Sequence, residues 1–183
     1  MVKITRRLAD QNDPLFNEGI TIPSRKLKSK KILYIDMDNV LVDFPSGIAA
    51  LSEQDRATYE DRLDEVPGIF SKMLPKEGAV AAFQELSKHF DTYILSTAPW
   101  ENPSAWSAKL IWVKEYLGES AHKRLILSHN KHRNKGDYLI DDRPHNGAKD
   151  FEGELIPFHS QEFPESRFKT WVDILNYLLP DKI

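Results

Sequence analysis

Short apolar runs that end in polar side chains limit most strongly how this chain can fold. One run begins at Lys31 and ends at Asp36, a second ends at Thr97 and a third ends at Asp141. Each has the length of a buried strand, and stretches with apolar residues at helical spacing lie between them. This alternation predicts an α/β fold with a doubly wound parallel sheet. The predicted strands are 31–36, 92–97, 124–128, 138–141 and 155–158.

Three stretches with helical spacing are predicted to flank this sheet. Residues 79–90 place their apolar side chains on one face of a helix. Asn102 and Pro103 suit the N-cap and first turn of a second helix, and Gly118 suits its end. We expect the buried stripe of that helix to be Trp106, Leu110, Val113 and Leu117. The third predicted helix covers residues 170–179.

Two segments do not fit the alternating pattern. Residues from about 45 to 75 are strongly charged and interrupted by prolines, and they predict one or two short helices forming a small cap. Residues 1–30 predict a basic arm, extended or partly disordered, ahead of a core at 31–183. The arm lacks the apolar centre of a signal peptide, and its acidic residues argue against a transit peptide. We therefore expect a cytoplasmic protein.

The charges are divided unevenly along the chain. The net charge is −3, from 25 basic and 28 acidic residues, yet residues 1–31 hold eight of the basic residues and only three acids. A basic arm invites contact with nucleic acid, although no nucleic-acid partner is expected here. No apolar run has the 18 to 20 residues, roughly, that a membrane span needs, so no membrane association is expected. The chain has no cysteine, which excludes disulfides, cysteine nucleophiles and thiolate metal sites.

Carboxylates cluster at the predicted strand ends. Asp36 and Asp38 follow one strand, while Asp141 and Asp142 end another, ten residues after Lys131. Ligands of doubly wound sheets bind beyond the carboxyl ends of the strands. Four carboxylates brought together there would repel one another unless a cation lay among them. Oxygen ligands without histidine or cysteine favour Mg²⁺ over zinc, so the sequence predicts a Mg²⁺ cofactor.

A lysine and a hydroxyl group complete this pattern. Lys131 and Thr97 could hold an anion that is also bound to the metal. Together with a nucleophilic aspartate, they indicate phosphoryl transfer through an aspartyl-phosphate.

Three segments resemble the motifs of the haloacid dehalogenase superfamily. The segment IDMDNVLVDF (35–44) is most similar to the first motif of the 5′(3′)-deoxyribonucleotidases, DMDGVLADF. The segments LSTAPW (95–100) and LSHNKHRNKGDYLIDDRPHNG (127–147) resemble the later motifs in the same order. The likeness covers about residues 31–160. It implies a Mg²⁺-dependent phosphomonoesterase that acts on a small phosphate ester, a nucleoside or deoxyribonucleoside monophosphate.

The resemblance also implies roles for individual residues. Asp36 matches the nucleophile, and Asp38 matches the general acid that later becomes the base. Thr97 matches the hydroxyl that binds the transferring phosphate, with Ser96 as the alternative. Lys131 matches the lysine that neutralises the phosphate and steadies the nucleophile.

Metal and substrate residues are implied in the same way. The metal positions correspond to Asp36, Asp141, Asp142 and the backbone carbonyl of Asp38, with Asp142 as an outer partner of the metal site. Phe44 and Phe70 match positions near the nucleobase, and Ser96 and Ala98 stand at substrate-binding positions. Members of the family are often dimeric, which leaves a homodimer open.

One position departs from the family pattern. Asn39 stands where the family has glycine, and asparagine tolerates left-handed backbone better than most residues, so we expect the turn to survive. The stretch between Thr97 and Trp106 is shorter than in the animal enzymes, which leaves the nucleobase and sugar preference open.

Simpler interpretations remain for several side chains. His129 and His132 have metal-ligand spacing, but we expect both in a surface loop. Trp106 is expected in the core. Trp100 follows a motif loop and could line the pocket. Phe44 could be a core residue under the cap.

Three other functions stay open at this point. A different small phosphate ester could be the substrate, because caps change specificity while the core stays fixed. A phosphatase of nucleic-acid ends would give the basic arm a purpose. A non-catalytic binding module on the same fold is the third, although it would not need both a nucleophile and an acid.

Overall fold

A computed structural model describes residues 29–180, so the predicted arm lies almost wholly outside the described residues. In chain order the elements are β1 (Ile32–Ile35), β2 (Val42–Asp43), α1 (Phe44–Ala49), α2 (Glu53–Thr58), β3 (Leu74–Pro75), α3 (Ala79–His89), β4 (Asp91–Ser96), α4 (Pro103–Tyr116), β5 (Leu125–Leu127), β6 (Tyr138–Asp141), β7 (Glu154–Pro157) and α5 (Trp171–Leu178). Short 3₁₀ turns lie at Leu63–Glu65, Ile69–Ser71, Gly118–Ala121, Lys131–Arg133 and Ala148–Asp150.

Five parallel strands form the main sheet in the order β5-β4-β1-β6-β7. In its register Leu33 of β1 lies opposite Thr92 of β4 on one side and Tyr138 of β6 on the other. The chain moves outward from β1 to β5 and then crosses back to β6, so the switch point lies at β1. The predicted doubly wound parallel sheet is confirmed, and the ends of β4, β1 and β6 are adjacent there.

Alternate side chains of β1 point to opposite faces of the sheet, as strand geometry requires. Leu33 and Ile35 are fully buried in the larger core, which also contains the apolar side chains of α3, α4 and α5. Tyr34 belongs to a smaller core on the other face, where its ring meets that of Phe151 edge-on at 6.0 Å between ring centres. Burial on both faces explains why the strands are apolar throughout.

The outer helices begin and end close to the predicted positions. Helix α3 covers Ala79–His89, and its buried side chains are the predicted apolar ones. Helix α5 follows Thr170, whose hydroxyl accepts a hydrogen bond from the Asp173 backbone nitrogen while the Asp173 carboxylate accepts one from the Thr170 nitrogen. This reciprocal capping box fixes where the last helix begins.

The predicted buried stripe of α4 is wrong. Val113 and Leu117 are buried, but Trp106 is 39% and Leu110 42% exposed, so Trp106 is not a core residue. The face that packs inward instead carries Ala105, Ala108, Lys109, Trp112 and Val113. The helix turns a different face inward from the predicted one because it packs against both the sheet and the segment inserted after β2.

The inserted segment, residues 44–73, is called the cap segment below. The antiparallel pair of β2 and β3 encloses it, and it contains α1, α2 and two 3₁₀ turns. Helix α4 holds it in place: Asn102 Nδ2 donates to the Asp64 and Val66 carbonyls, and Trp112 Nε1 donates to the Met73 carbonyl. Asn102 is the N-cap residue of α4 as predicted, but its side chain holds the cap segment and makes no capping hydrogen bond.

Among residues 29–180, no helix has both the length and the apolar character that a membrane span requires.

Candidate active site

Three carboxylates meet where β1 and β6 end. Asp36 directly follows β1, and its backbone nitrogen donates to the Ile140 carbonyl of β6, which places it beside Asp141 and Asp142. One carboxylate oxygen from each of these three aspartates lies within 4.8 Å of the others. All three residues are at most 2% exposed. The register of two adjacent parallel strands thus brings together acids that are about a hundred residues apart in sequence.

Lys131 is the nearest cation to this carboxylate trio. It is the buried residue of the 3₁₀ turn after β5, and its Nζ lies 2.9 Å from Asp36 Oδ1 and 2.5 Å from Asp141 Oδ2. Burial lowers the pKa of Lys131, but the charges of these two aspartates raise it by more, so the pKa lies above its usual value. The lysine therefore stays charged.

The pKa of one member of the trio is lowered, whereas the pKa values of the other two are raised. Burial raises the pKa of Asp36, but the charges of Lys131 and Lys109 outweigh burial, so this pKa is lowered. Burial and then the charge of Asp36 raise the pKa of Asp141 to about 7. The same two causes raise the pKa of Asp142 to about 6. Asp36 is thus held as a carboxylate, the form that a nucleophile needs.

The trio fits a divalent cation. Its donors are all carboxylate oxygens, which suit Mg²⁺. Asp142 Oδ1 is buried with no hydrogen-bond partner, and the Arg143 Nε atom lies 3.8 Å away. Burial first, and then the charge of Asp36, raise the pKa values of Asp141 and Asp142. A bound cation would supply the missing positive charge.

Asp38 lies outside the trio and is paired with a lysine that the sequence analysis missed. Both of its carboxylate oxygens accept from Lys109 Nζ at 2.7 Å, and Ser96 Oγ accepts from the same Nζ at 3.1 Å. Lys109 is fully buried, with its ammonium group 4.5 Å from the centre of the Phe70 ring. A lysine on the inward face of an otherwise apolar helix is the signal that could have revealed it.

The pKa of Asp38 is raised despite this pairing. Burial is the largest cause, the charge of Lys109 opposes it, and the charge of Asp36 adds to it. A carboxyl group with a raised pKa is suited to give and take protons near neutrality. Its carboxylate is not part of the trio and is paired with Lys109, so the predicted metal contact of Asp38 rests on its backbone carbonyl and stays a prediction.

Asn39 adopts the backbone conformation expected of the family glycine. Its φ angle is 56°, in the left-handed region. The side chain then donates from Nδ2 to Asp142 Oδ2 at 3.3 Å, and Lys76 Nζ donates to the Asn39 carbonyl at 3.0 Å. The departure from glycine therefore preserves the turn and adds a hydrogen bond to one of the three acids.

Ser96 is the last residue of β4 and Thr97 follows it, but their hydroxyl groups have different surroundings. The Thr97 hydroxyl donates to the Ser128 carbonyl at 2.8 Å and lines the cavity described next. Ser96 is fully buried and faces Lys109. Of the two hydroxyls, only that of Thr97 is placed to meet a ligand.

A cavity of about 540 Å³ lies between the cap segment and the strand ends. Its size suits a ligand as large as a nucleotide. Asp38 lies at its base. The lining side chains from the cap segment are Phe44, Ile48, Glu60, Asp61, Leu63 and Asp64, and those from the rest of the chain are Asp38, Asn39, Thr97, Pro99, Trp100, His129, Arg143 and Asn146.

Three of the predicted substrate-binding residues do not line this cavity. Phe44 does, whereas Phe70, Ser96 and Ala98 are buried and are not among the lining residues, so their substrate-binding roles stay predictions. Phe70 instead lies behind Phe44, with the two rings edge-on at 6.0 Å. Phe70 therefore supports the Phe44 ring from inside the core and does not itself form the cavity surface.

Other side chains line the cavity although the motifs assigned them no role. Trp100 is 76% exposed, and its ring lies 5.7 Å from that of His129. His129 lies in the loop after β5, as expected, but it is half-buried there and lines the cavity, and its Nε2 is buried without a hydrogen-bond partner. Arg143 adds a cation to the wall. Their positions after the strand-end motifs were the only sequence signal for them.

This fold, a five-stranded parallel sheet with acids at its switch point and a segment inserted after β2, is of the haloacid dehalogenase type. A similar fold occurs in a HAD-hydrolase from Bacillus subtilis that was solved bound to magnesium, with a TM-score of 0.55, 14% identity and coverage of 83% of this chain and 100% of that one. A haloacid dehalogenase-like protein from Streptococcus pneumoniae gives a TM-score of 0.54 and 12% identity over 81% of this chain and 98% of that one. These likenesses concern the fold alone.

The sequence relatives identify the family. Residues 53–182 match the family described as "5' nucleotidase, deoxy (Pyrimidine), cytosolic type C protein". A Vibrio phage KVP40 protein, provisionally described as a 5′(3′)-deoxyribonucleotidase, is 57% identical over 157 residues, which are 86% of this chain and 89% of that one. The Bacillus subtilis 5′(3′)-deoxyribonucleotidase is 31% identical over 175 residues, covering 82% of this chain and 99% of that one. The chain belongs to the 5′(3′)-deoxyribonucleotidase family, whose members are phosphoric monoester hydrolases, and the predicted resemblance is confirmed.

Proposed function

We propose that this enzyme hydrolyses deoxyribonucleoside monophosphates with the help of Mg²⁺, through a phosphorylated Asp36. The observation that carries the proposal is the pair of neighbouring carboxylates with opposite pKa shifts. Asp36 is held ionised, whereas Asp38, two residues later, has a raised pKa and lines the cavity. A nucleophile and a proton carrier are the two groups that a two-step phosphoryl transfer requires.

In the first step an oxygen of Asp36 attacks the phosphorus, and the bond between phosphorus and the sugar oxygen breaks. Asp38, in its protonated form, gives a proton to the leaving sugar oxygen, so the nucleoside departs neutral. Lys131 donates to the phosphate oxygens as negative charge shifts among them, and the Thr97 hydroxyl does so once its hydrogen turns from the Ser128 carbonyl to the phosphate. Electrostatic stabilisation of this kind supplies the largest share of the rate in such reactions.

In the second step a water molecule attacks the same phosphorus, and the bond to the Asp36 oxygen breaks. Asp38 takes a proton from the water, which restores both aspartates and releases inorganic phosphate. Lys109 acts through Asp38 as a positioning residue, because it holds both carboxylate oxygens but does not line the cavity.

Asp36, Asp141 and Asp142 would hold the metal ion, together with the Asp38 carbonyl. A bound Mg²⁺ supplies positive charge that neutralises the phosphate and the surrounding carboxylates. Asn39 orients Asp142 through the hydrogen bond described above. Lys131 supplies a second positive charge next to Asp36.

A nucleoside is the leaving group that the cavity suits best. Phe44 from the cap segment and Trp100 from outside it both line the cavity and offer aromatic surfaces against which a nucleobase can lie. The names of the phage and Bacillus relatives point to the deoxyribose form. The cavity is also large enough for the sugar and base together.

A phosphate-release assay over deoxyribonucleotides, ribonucleotides and sugar phosphates, with Mg²⁺ or with a chelator, tests the proposal. We expect release from deoxyribonucleoside monophosphates that needs Mg²⁺ and is abolished in Asp36→Asn. The matched control is Asp43→Asn, at a nearby position that does not line the cavity. Phosphate release only from sugar phosphates would contradict the substrate class, and no release from any ester would favour a binding module.

A further inference from the structure

The cap side of the cavity is strongly acidic. Glu60, Asp61 and Asp64, called the acidic rim below, are exposed and line the cavity wall. None of them takes part in an ion pair with another residue between 29 and 180. On the facing wall, Arg143 is the single lysine or arginine among the described lining residues. The rim therefore faces the ligand with three uncompensated negative charges.

The cavity is a ligand site on grounds independent of the rim. His129 Nε2 in the cavity wall is a buried polar atom without a hydrogen-bond partner, and so is Asp142 Oδ1, which lies next to the cavity, behind the lining residue Asn39. Such atoms call for a bound cation or polar ligand. The trio and Lys131 fix the phosphate end of that ligand, and Asp38 marks the leaving oxygen. The leaving group must then extend through the cavity beside the acidic rim.

From this placement we infer that the acidic rim selects phosphate esters whose leaving group carries no negative charge. The inference rests on the proposed function and specifies its substrate class more narrowly. A neutral nucleoside passes the rim without electrostatic cost. A leaving group with a second phosphate, or with the phosphodiesters of an oligonucleotide, would place its charge beside three carboxylates and be repelled.

The rim thereby gives a physical reason against nucleic-acid ends as substrates. Removing a terminal phosphate from an oligonucleotide would draw the next phosphodiester into the cavity. Because the rim is exposed to solvent, its repulsion is weakened by salt. We expect it to be worth about tenfold in affinity at low salt.

A binding comparison tests the inference. Asp36→Asn protein with Mg²⁺ is titrated with thymidine 5′-monophosphate and with thymidine 3′,5′-bisphosphate by calorimetry, at low and high salt. The same titrations use Glu60→Gln, Asp61→Asn and Asp64→Asn together in that background. We expect neutralising the rim to shift the affinity ratio about tenfold towards the bisphosphate at low salt, and by less at high salt.

The control variant removes three acids that line none of the cavities described: Glu115→Gln, Glu152→Gln and Glu165→Gln. A ratio that the rim substitutions leave unchanged, or that the control changes equally, would overturn the inference. Failure of the proposed function is recognised separately, as wild-type protein that releases no phosphate from the monophosphate while the binding ratio still responds to the rim. If neither nucleotide binds any of these proteins, both proposals are wrong.

Discussion

At the scale of single residues, the site separates two aspartates that the chain places almost side by side. Asp36 belongs to the trio and contacts Lys131, whereas Asp38 contacts Lys109 on α4. Opposite directions of pKa shift follow from these different neighbours. The motif predicts both acids, but their division of labour depends on contacts with residues about 70 and 95 positions further along the chain.

Lys109 illustrates why part of the site could not be predicted. Its sequence neighbourhood is a helix, and nothing local shows which face that helix buries. The expected stripe through Trp106 and Leu110 placed the wrong face inward. Only the docking of the cap segment against α4 decides the rotation, and docking is a tertiary effect.

Replacing Lys109 tests its positioning role. We expect Lys109→Met to lower kcat at least tenfold with little change in KM, because Lys109 does not line the cavity. The limb of the pH profile that reports Asp38 should move to higher pH, since the charge of Lys109 lowers the pKa of that carboxyl. Stability should also fall by about 3–5 kcal/mol, because a buried carboxylate loses its partner.

The control is Lys114→Met, which removes an exposed lysine from the same helix. Kinetic profiles over pH and a denaturant melt measure both effects. Wild-type kcat and an unmoved pH limb in Lys109→Met would show that the ion pair does not position Asp38.

At the scale of elements, α4 joins the cap segment to the core. Three side chains at its start and middle form hydrogen bonds with backbone groups of the cap segment: those of Asn102, Ser104 and Trp112. The sequence predicted where α4 begins and ends, because capping residues are local signals. It did not predict this docking, since backbone acceptors carry no sequence signature.

Loosening one docking contact should change substrate binding more than fold stability. Asn102→Ala removes the hydrogen bonds to the Asp64 and Val66 carbonyls, and we expect KM to rise several-fold. Amide hydrogen exchange should become faster in residues 63–68 and stay unchanged in β1 and β4. Hydrogen-exchange mass spectrometry with steady-state kinetics measures both, and equal acceleration throughout the sheet would argue against a local role.

At the scale of the whole molecule, the fold holds the carboxylates of Asp36, Asp141 and Asp142 close together. A bound cation would reduce the repulsion among their negative charges. The pKa of Asp141 is raised to about 7 and that of Asp142 to about 6. Raised carboxyl pKa values mean that the folded state binds protons more tightly than the unfolded state. Their contribution to stability is therefore present at low pH and lost as the pH rises towards these values.

Stabilisation by Mg²⁺ should follow the opposite trend with pH. Below about pH 6 protons compete for Asp142 and Asp141, so Mg²⁺ should raise the thermal unfolding midpoint only slightly. Above about pH 7 both carboxylates are free to bind, and the increase should be several degrees. Thermal melts over pH, with and without Mg²⁺, measure this; Asp141→Asn is expected to lose most of the effect. A Mg²⁺ shift that is independent of pH would contradict the assigned ligands.

The proposed mechanism requires that Asp36 carry the phosphoryl group during turnover. Its most direct test is to quench the enzyme in acid during hydrolysis of a deoxyribonucleoside monophosphate and to reduce the denatured protein with borohydride, which converts an aspartyl-phosphate to homoserine. Peptide mass spectrometry then locates the change. We expect homoserine at position 36 in protein quenched with substrate, and none at Asp38 or in a sample without substrate. Steady phosphate release with no modification at Asp36, or with modification at another residue, would contradict it.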